Sequence, residues 1–323
     1  MAACLSGMHY TAHMPSRSQG SIHLFGIAGI DVYLHWWWFL AALYEIQSRN
    51  GRYSSIAWNI LEYVALFLIV LLHEFGHALA CRQVGGIANR IVLWPLGGVA
   101  YVDPPPRPGA TLWSIAAGPL VNVALVPILV GLYYSAYSAG WATTMPDAFR
   151  LVRAVLYIDI GLLIFNILPV YPLDGGQILR SLLWFVLGRA RSLMAATILG
   201  MLGVVAIVGW ALYGQDIWLG LIAVYMGMNC WSGFKYARAL SQIDKLPRRA
   251  GFSCPICNAA PPAGEYWKCN QCGQAFDAFQ TGAVCPNCRA QFPTTRCLDC
   301  GRQHPLHEWA SGTLVGSTFA TNP

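Results

Sequence analysis

The chain has 323 residues, 56% of them hydrophobic and 11% charged, with 20 Lys and Arg against 14 Asp and Glu for a formal net charge of +6. Soluble domains carry about 25% charged residues, so this composition excludes an ordinary water-soluble globule and points to a polytopic membrane protein. The positive charge is modest, and its placement along the chain says more than its size.

Residues 1–22 hold no apolar stretch of the length a secretory signal needs, and Cys4 has no apolar run before it. They read as an N-terminal cytoplasmic segment. Apolar stretches long enough to span a bilayer, or nearly so, follow at about 33–47, 57–81, 111–137, 151–171, 193–213 and 216–234. The first is short and aromatic ("YLHWWWFL"), with its tryptophans read as an interfacial belt. Between the second and third, "NRIVLWPLGGVAYVDPPPRPG" (89–109) predicts short strands at 90–94 and 98–102 around Pro95–Gly97, the second ended by three prolines. The segment "ILRSLLWFVLG" (178–188) is too short to span and reads as interfacial or buried among helices. Arg82, Arg90 and Arg107, then Arg180, Arg189 and Arg191, then Lys235, Arg238, Lys245, Arg248 and Arg249 all fall on one side of six spans. That arrangement places both termini in the cytoplasm, with Arg49, Arg52, Arg150 and Arg153 on the opposite side as the dissenting charges. A membrane domain is thus expected over 23–235 and a basic linker at 236–250 that anchors to anionic lipid. A separate small domain follows at 251–301, then a flexible tail at 302–323.

The second span contains "LLHEFGHALA" (71–80), where ionisable groups would each cost about 2.5–3.5 kcal/mol if they faced lipid. His73 and His77 lie four apart on one helix face, about 6 Å along the axis, a spacing that lets two imidazoles reach one zinc. Glu74, on the adjacent face, can serve as general base toward a water that the metal activates. A catalytic zinc usually takes three protein ligands, and Asp174 in "FNILPVYPLDGG" (165–176) is the best third. Pro169 and Pro172 break the helix before it, and broken backbone at membrane depth needs a cavity around it. The competing readings are two histidines packed in a helix bundle, and Asp174 as an ordinary helix cap. His35, Glu62 and Asp159 have no ligand spacing to the motif and read as interface or inter-helix polar contacts.

These residues resemble the site-2 protease family of intramembrane zinc metalloproteases. "HEFGH" matches its HExxH, "NILPVYPLDGG" its second motif, and "AAGPLVNVAL" (116–125) the Gly-Pro and Asn element of its third core helix. The resemblance covers about residues 22–235. It implies that His73, His77 and Asp174 bind zinc, that Glu74 is the catalytic acid/base, and that Asn166 supports substrate or the developing oxyanion. A buried Asn bonding between helices is the plainer reading of Asn166. It further implies a multi-pass bacterial inner-membrane enzyme, cutting a transmembrane protein substrate after an earlier cut. Many relatives insert a PDZ domain, for which this chain has no room. The strands at 90–102 are expected to clamp unwound substrate as an added β-strand, through Val92, Leu93, Gly97 and Gly98.

Eight of the eleven cysteines form four CxxC pairs: Cys254 and Cys257, Cys269 and Cys272, Cys285 and Cys288, Cys297 and Cys300. Two such knuckles close a tetrahedral Cys₄ zinc site. Sequential pairing would put the first two pairs on one ion and the last two on another, resembling a double zinc ribbon, with disulfides as the competing reading. The expected cofactors are one catalytic and two structural Zn²⁺. Three bases (Lys268, Arg289, Arg296) against three acids (Glu265, Asp277, Asp299) leave no phosphate footprint, so no nucleic acid is expected. A cytoplasmic protein partner or the substrate is expected instead. The fold class expected is an all-α polytopic membrane protein of about six transmembrane helices with a short β-hairpin insert, plus a small zinc-ribbon domain. The alternative function is a non-catalytic zinc-binding scaffold or transporter, which would have no use for Glu74.

Overall fold

The structure is a computed structural model that describes residues 20–48, 51–94 and 97–309. Residues 1–19, with Cys4, residues 49–50, with Arg49, residues 95–96 and residues 310–323 of the expected tail lie outside the described residues. Two compact units emerge: the chain up to Gly188 with Ser192–Phe234, and Arg189–Arg191 with the chain from Lys235 onward.

In the first unit, β1 (Ser21–Ile27) turns through Ala28 and Gly29, both at positive φ, into β2 (Ile30–His35). Two left-handed residues in a two-residue loop match the twist of paired antiparallel strands. The chain continues through α1 (Trp37–Ser48) and α2 (Ile56–Gln83) to β3 (Ile87–Trp94) and β4 (Gly97–Asp103). The four strands form one sheet in the order β1-β2-β3-β4, with β2 and β3 parallel and the other pairs antiparallel. The stretch expected to span at 33–47 is therefore divided. Its start belongs to β2, and α1 has 12 residues, about 18 Å, short of the roughly 30 Å hydrocarbon core.

The 90–102 segment likewise pairs within this larger sheet, and the position of β3 corrects the expected clamp. Val92 is paired on one side with Tyr33 and on the other with Val99, and Leu93 with Leu34 and Gly98. Both are buried, Leu93 with Ile30, Val32, Ala78 and Cys81 in the core between sheet and α2. A central strand has no free backbone to offer a substrate, so Val92 and Leu93 cannot receive one. β4 is the edge strand, and Gly97 and Gly98 lie on it.

The remaining helices are α3 (Pro108–Ser138), the one-turn α4 (Trp141–Thr144), α5 (Pro146–Ile167), α6 (Asp174–Leu187), α7 (Arg189–Gly214) and α8 (Ile217–Ile243). Among the described residues, α2, α3 and α7 are long and apolar enough to cross a membrane. Their outer faces carry exposed Ile60, Leu68, Ile128, Leu132, Val205 and Trp210, surface that suits lipid. The protein is an integral membrane protein. α2 and α3 pack closely at Gly76, where a Cβ would stand 2.7 Å from the carbonyl oxygen of Ala117 and 2.8 Å from Val121. Small residues at a membrane helix interface permit such approach.

The second unit is built on two-stranded ribbons, β5 (Trp267–Lys268) with β6 (Ala275–Phe276) and β7 (Thr295–Arg296) with β8 (Gln303–His304). Its core is aromatic: Phe279 meets Phe252, Trp267 and Trp309 with ring centroids 5.0–5.2 Å apart. Trp309 is fully buried and sits in a 3₁₀ turn, Leu306–Trp309. The folded domain thus runs to at least Trp309, past the boundary expected at 301. Two of the linker's bases are committed to this domain. Arg248 grips both carboxylate oxygens of Asp299 at 2.7 and 2.9 Å and also bonds the carbonyls of Ala260 and Ile243, while Arg249 pairs with Asp277.

Candidate metal centres

His73 and His77 project from one face of α2 toward α3 and the start of α6. Asp174 is the first residue of α6, after the break at Leu168–Leu173. Its carboxylate makes no cap bond and goes to the histidines instead. Nε2 of His73 and Nε2 of His77 lie 3.1 Å apart, and Oδ2 of Asp174 lies 3.0 Å from the first and 3.3 Å from the second. Ligands at about 2.0–2.1 Å from a tetrahedral zinc are separated by about 3.3–3.4 Å, so this triangle has the size and donor set of one face of a zinc site.

The backbone explains the convergence. Gly175 and Gly176 have ordinary helical geometry. A Cβ on either would collide with backbone atoms of Ile167–Leu168 or Val170–Tyr171, so the two glycines are there for space. They let α6 begin against the end of α5 and deliver Asp174 to the histidines.

On α3, Ser114, Gly118 and Asn122 are spaced four apart and share the face that meets α2. Nδ1 of His77 bonds the Ser114 carbonyl at 2.9 Å, and Nδ1 of His73 bonds Oδ1 of Asn122 at 2.6 Å. Both bonds have the imidazole donating from Nδ1, which leaves each Nε2 lone pair for a metal. Gly118 makes the room, since a Cβ there would stand 2.8 Å from Nε2 of His73 and closer still to Nε2 of His77. Asn122 also donates from Nδ2 to Oδ1 of Asp159 on α5 at 2.6 Å. Sequence reasoning left Asn122 without a partner and Asp159 as an unassigned inter-helix contact. The four-residue spacing of Ser114, Gly118 and Asn122, matching the spacing of the histidines, was the signal available.

Glu74 is buried beside the histidines, and the backbone N–H of Ala100 on edge strand β4 donates to its Oε2 at 2.8 Å. Asn166, in the last turn of α5, is half-buried, and its side chain makes no hydrogen bond among the described residues. The other polar groups of the spans sit apart. His35 stacks on Trp94 with centroids 3.7 Å apart, and Glu62 accepts from Tyr53 and Arg52.

The cysteines form two further sets, nested rather than sequential. Cys254, Cys257, Cys297 and Cys300 converge, enclosing in sequence the set Cys269, Cys272, Cys285 and Cys288. Sequential pairing is not what forms: the second and third knuckles face each other, which leaves the first knuckle to meet the last. Sulfurs lie 3.5–3.7 Å apart across knuckles. A disulfide needs about 2.05 Å, whereas four thiolates at about 2.3 Å from zinc lie about 3.8 Å apart. Each knuckle has the same fold. The residue after its second cysteine (Asn258, Gly273, Arg289, Gly301) has φ between 58 and 79° and donates its N–H to the first cysteine's carbonyl at 2.8–3.0 Å. The Gln274 amide beside Cys272 brings that thiol down to about 6.

An HExxH helix, an aspartate that follows a helix break and a buried glutamate beside them make up a candidate metal centre among apolar helices. The model of peptidase family M50 matches residues 62–149 and 141–210. A zinc metalloprotease of Methanocaldococcus jannaschii is 31% identical over 208 residues, covering 64% of this chain and 58% of that protein. Rip3 of Mycobacterium tuberculosis is 28% identical over 228 residues, covering 64% and 56% respectively. The chain therefore spans less than two thirds of the length of these curated relatives. The solved site-2 protease from Methanocaldococcus jannaschii is 28% identical, with 66% of this chain and 95% of the solved chain covered at a TM-score of 0.48. Through residues 62–210 the chain is similar to peptidase family M50.

Proposed function

We propose that the protein is an intramembrane zinc metalloendopeptidase that hydrolyses peptide bonds in or near the transmembrane segments of membrane-protein substrates. The observation that carries the reading is the triangle of His73, His77 and Asp174 with Glu74 buried beside it. Zinc bound there supplies a Lewis acid that polarises the scissile carbonyl and acidifies water. Glu74, held by the Ala100 amide, takes a proton from the attacking water and delivers it to the leaving amine. Asn166, with its amide uncommitted, is placed in the role of donor to the developing oxyanion. A substrate helix must unwind to expose its carbonyl. The edge of β4, which carries both Gly97 and Glu74's partner Ala100, is the strand that would hold it extended.

The two cysteine sets are proposed to bind one structural zinc each, giving three ions in all. In this reading the ribbon lies on the cytoplasmic side of a bacterial inner membrane, with both termini, and presents substrate or a regulatory partner. A scaffold or transporter would need the ligands but not a general base beside them.

The test is a full-chain cleavage assay on a substrate with a labelled transmembrane segment, together with zinc stoichiometry. Glu74→Gln should abolish cleavage and keep all the zinc, and His73→Ala should lose one ion and all cleavage. A Glu74→Gln protein that cuts at the wild-type rate would sink the proposal.

A further inference from the structure

The bond chain Asp159–Asn122–His73 has a direction. An Asn side chain is both donor and acceptor and can be turned end for end, and each orientation demands a different imidazole tautomer. With Oδ1 toward His73, Nδ1 carries the proton and Nε2 has its lone pair free. With the amide nitrogen toward His73, Nδ1 must accept, and the proton moves to Nε2, where it would face the metal. Asn122 cannot choose by itself. It is fully buried, as is Asp159, and their bond of 2.6 Å joins α3 to α5. Oδ1 of Asp159 accepts from the amide nitrogen of Asn122, and this turns Oδ1 of Asn122 toward His73, again at 2.6 Å. His77 needs no such device, because its Nδ1 partner is a backbone carbonyl, which can only accept. Oδ2 of Asp159 has no partner among the described residues, so the carboxylate's one bond in this interior is the one that orients Asn122.

We infer that Asp159 is a positioning residue for the metal centre: acting through Asn122, it fixes His73 in the tautomer whose Nε2 can bind zinc. The inference rests on the reading of His73, His77 and Asp174 as zinc ligands. Outer partners of metal-bound histidines typically contribute 10–100-fold to metal affinity.

The experiment measures zinc affinity of the full chain by chelator competition for Asp159→Asn, Asn122→Ala and the double variant, with His73→Ala identifying the membrane ion. Asp159→Asn removes no atoms' worth of volume and restores the amide's freedom to turn. Each single variant should weaken the membrane ion by about 10–100-fold while the ribbon ions stay bound. The double variant should bind no more weakly than Asn122→Ala alone, because Asp159 has nothing left to act through. Losses that multiply in the double variant, or wild-type affinity in Asp159→Asn, would overturn the inference while leaving the zinc site intact. If His73→Ala itself loses no ion, the underlying metal reading is what has failed. Should Asp159→Asn not be recovered folded, Asn122→Ala with Asp159→Ala leaves no orphaned polar pair and permits the same comparison with Asn122→Ala.

Discussion

Gly118→Ala is the smallest change that should empty the membrane site. The added methyl would lie 2.8 Å from Nε2 of His73 and nearer to Nε2 of His77. Ordinary van der Waals contact needs about 3.5 Å, so the His73 ring must withdraw by at least about 0.7 Å, and the His77 ring by more. Metal sites tolerate ligand displacements of about 0.2 Å, so the shift is several times what zinc allows. Overpacking alone costs about 1–3 kcal/mol, equivalent to roughly 5–150-fold in affinity, before any loss of coordination. The assay is zinc content and chelator resistance of the purified full chain. Gly131→Ala serves as control, on the same helix, with nothing within 4 Å of its built Cβ. There the helix should gain up to about 1 kcal/mol. Full occupancy and unchanged chelator resistance in Gly118→Ala would refute the packing argument.

Ala100→Pro removes the N–H that holds Glu74 while keeping a residue that edge strands accept. Losing a hydrogen bond to a charged acceptor costs about 1.5–3 kcal/mol, so the cleavage rate should fall about 10–100-fold with zinc content unchanged. Arg289→Gly relieves a left-handed residue, φ 60°, and should stabilise the ribbon by about 1 kcal/mol; earlier zinc release on denaturant titration would contradict this. Arg248→Ala breaks a partly buried bidentate pair with Asp299, and should weaken zinc at the outer cysteine set by about 5–30-fold, read by chelator competition.

The convergence of His73, His77 and Asp174, with Glu74 buried nearby, was legible because few arrangements justify these residues among apolar ones. The geometry around it was less so. Val92 and Leu93 read as a hairpin strand, and only the distant pairing with Tyr33 and Leu34 makes that strand central. Tyr33–His35 looked like the head of a span because a buried strand and a short buried helix have the same apolar composition. Gly175 and Gly176 carry no sign in the sequence of the collision a side chain would make with the end of α5 and the break after it. The knuckle pairing was invisible because identical CxxC units give no sign of which faces which. Asn122 and Asp159 were each in view, and the bond between them depends on how α3 crosses α5.

The nested arrangement of the cysteines sets an order of assembly. The outer set must bring together Cys257 and Cys297 across 40 residues, whereas the inner set joins Cys272 to Cys285 across 13. By loop-closure entropy the longer connection costs about 1 kcal/mol more, and the inner ion removes most of that difference by folding the intervening chain first. If each set holds the zinc proposed for it, loading would run from the middle outward and unloading from the ends inward. Falling zinc supply would thus part Cys254 and Cys257 from Cys297 and Cys300 while the centre of the domain stays closed, a graded response rather than collapse.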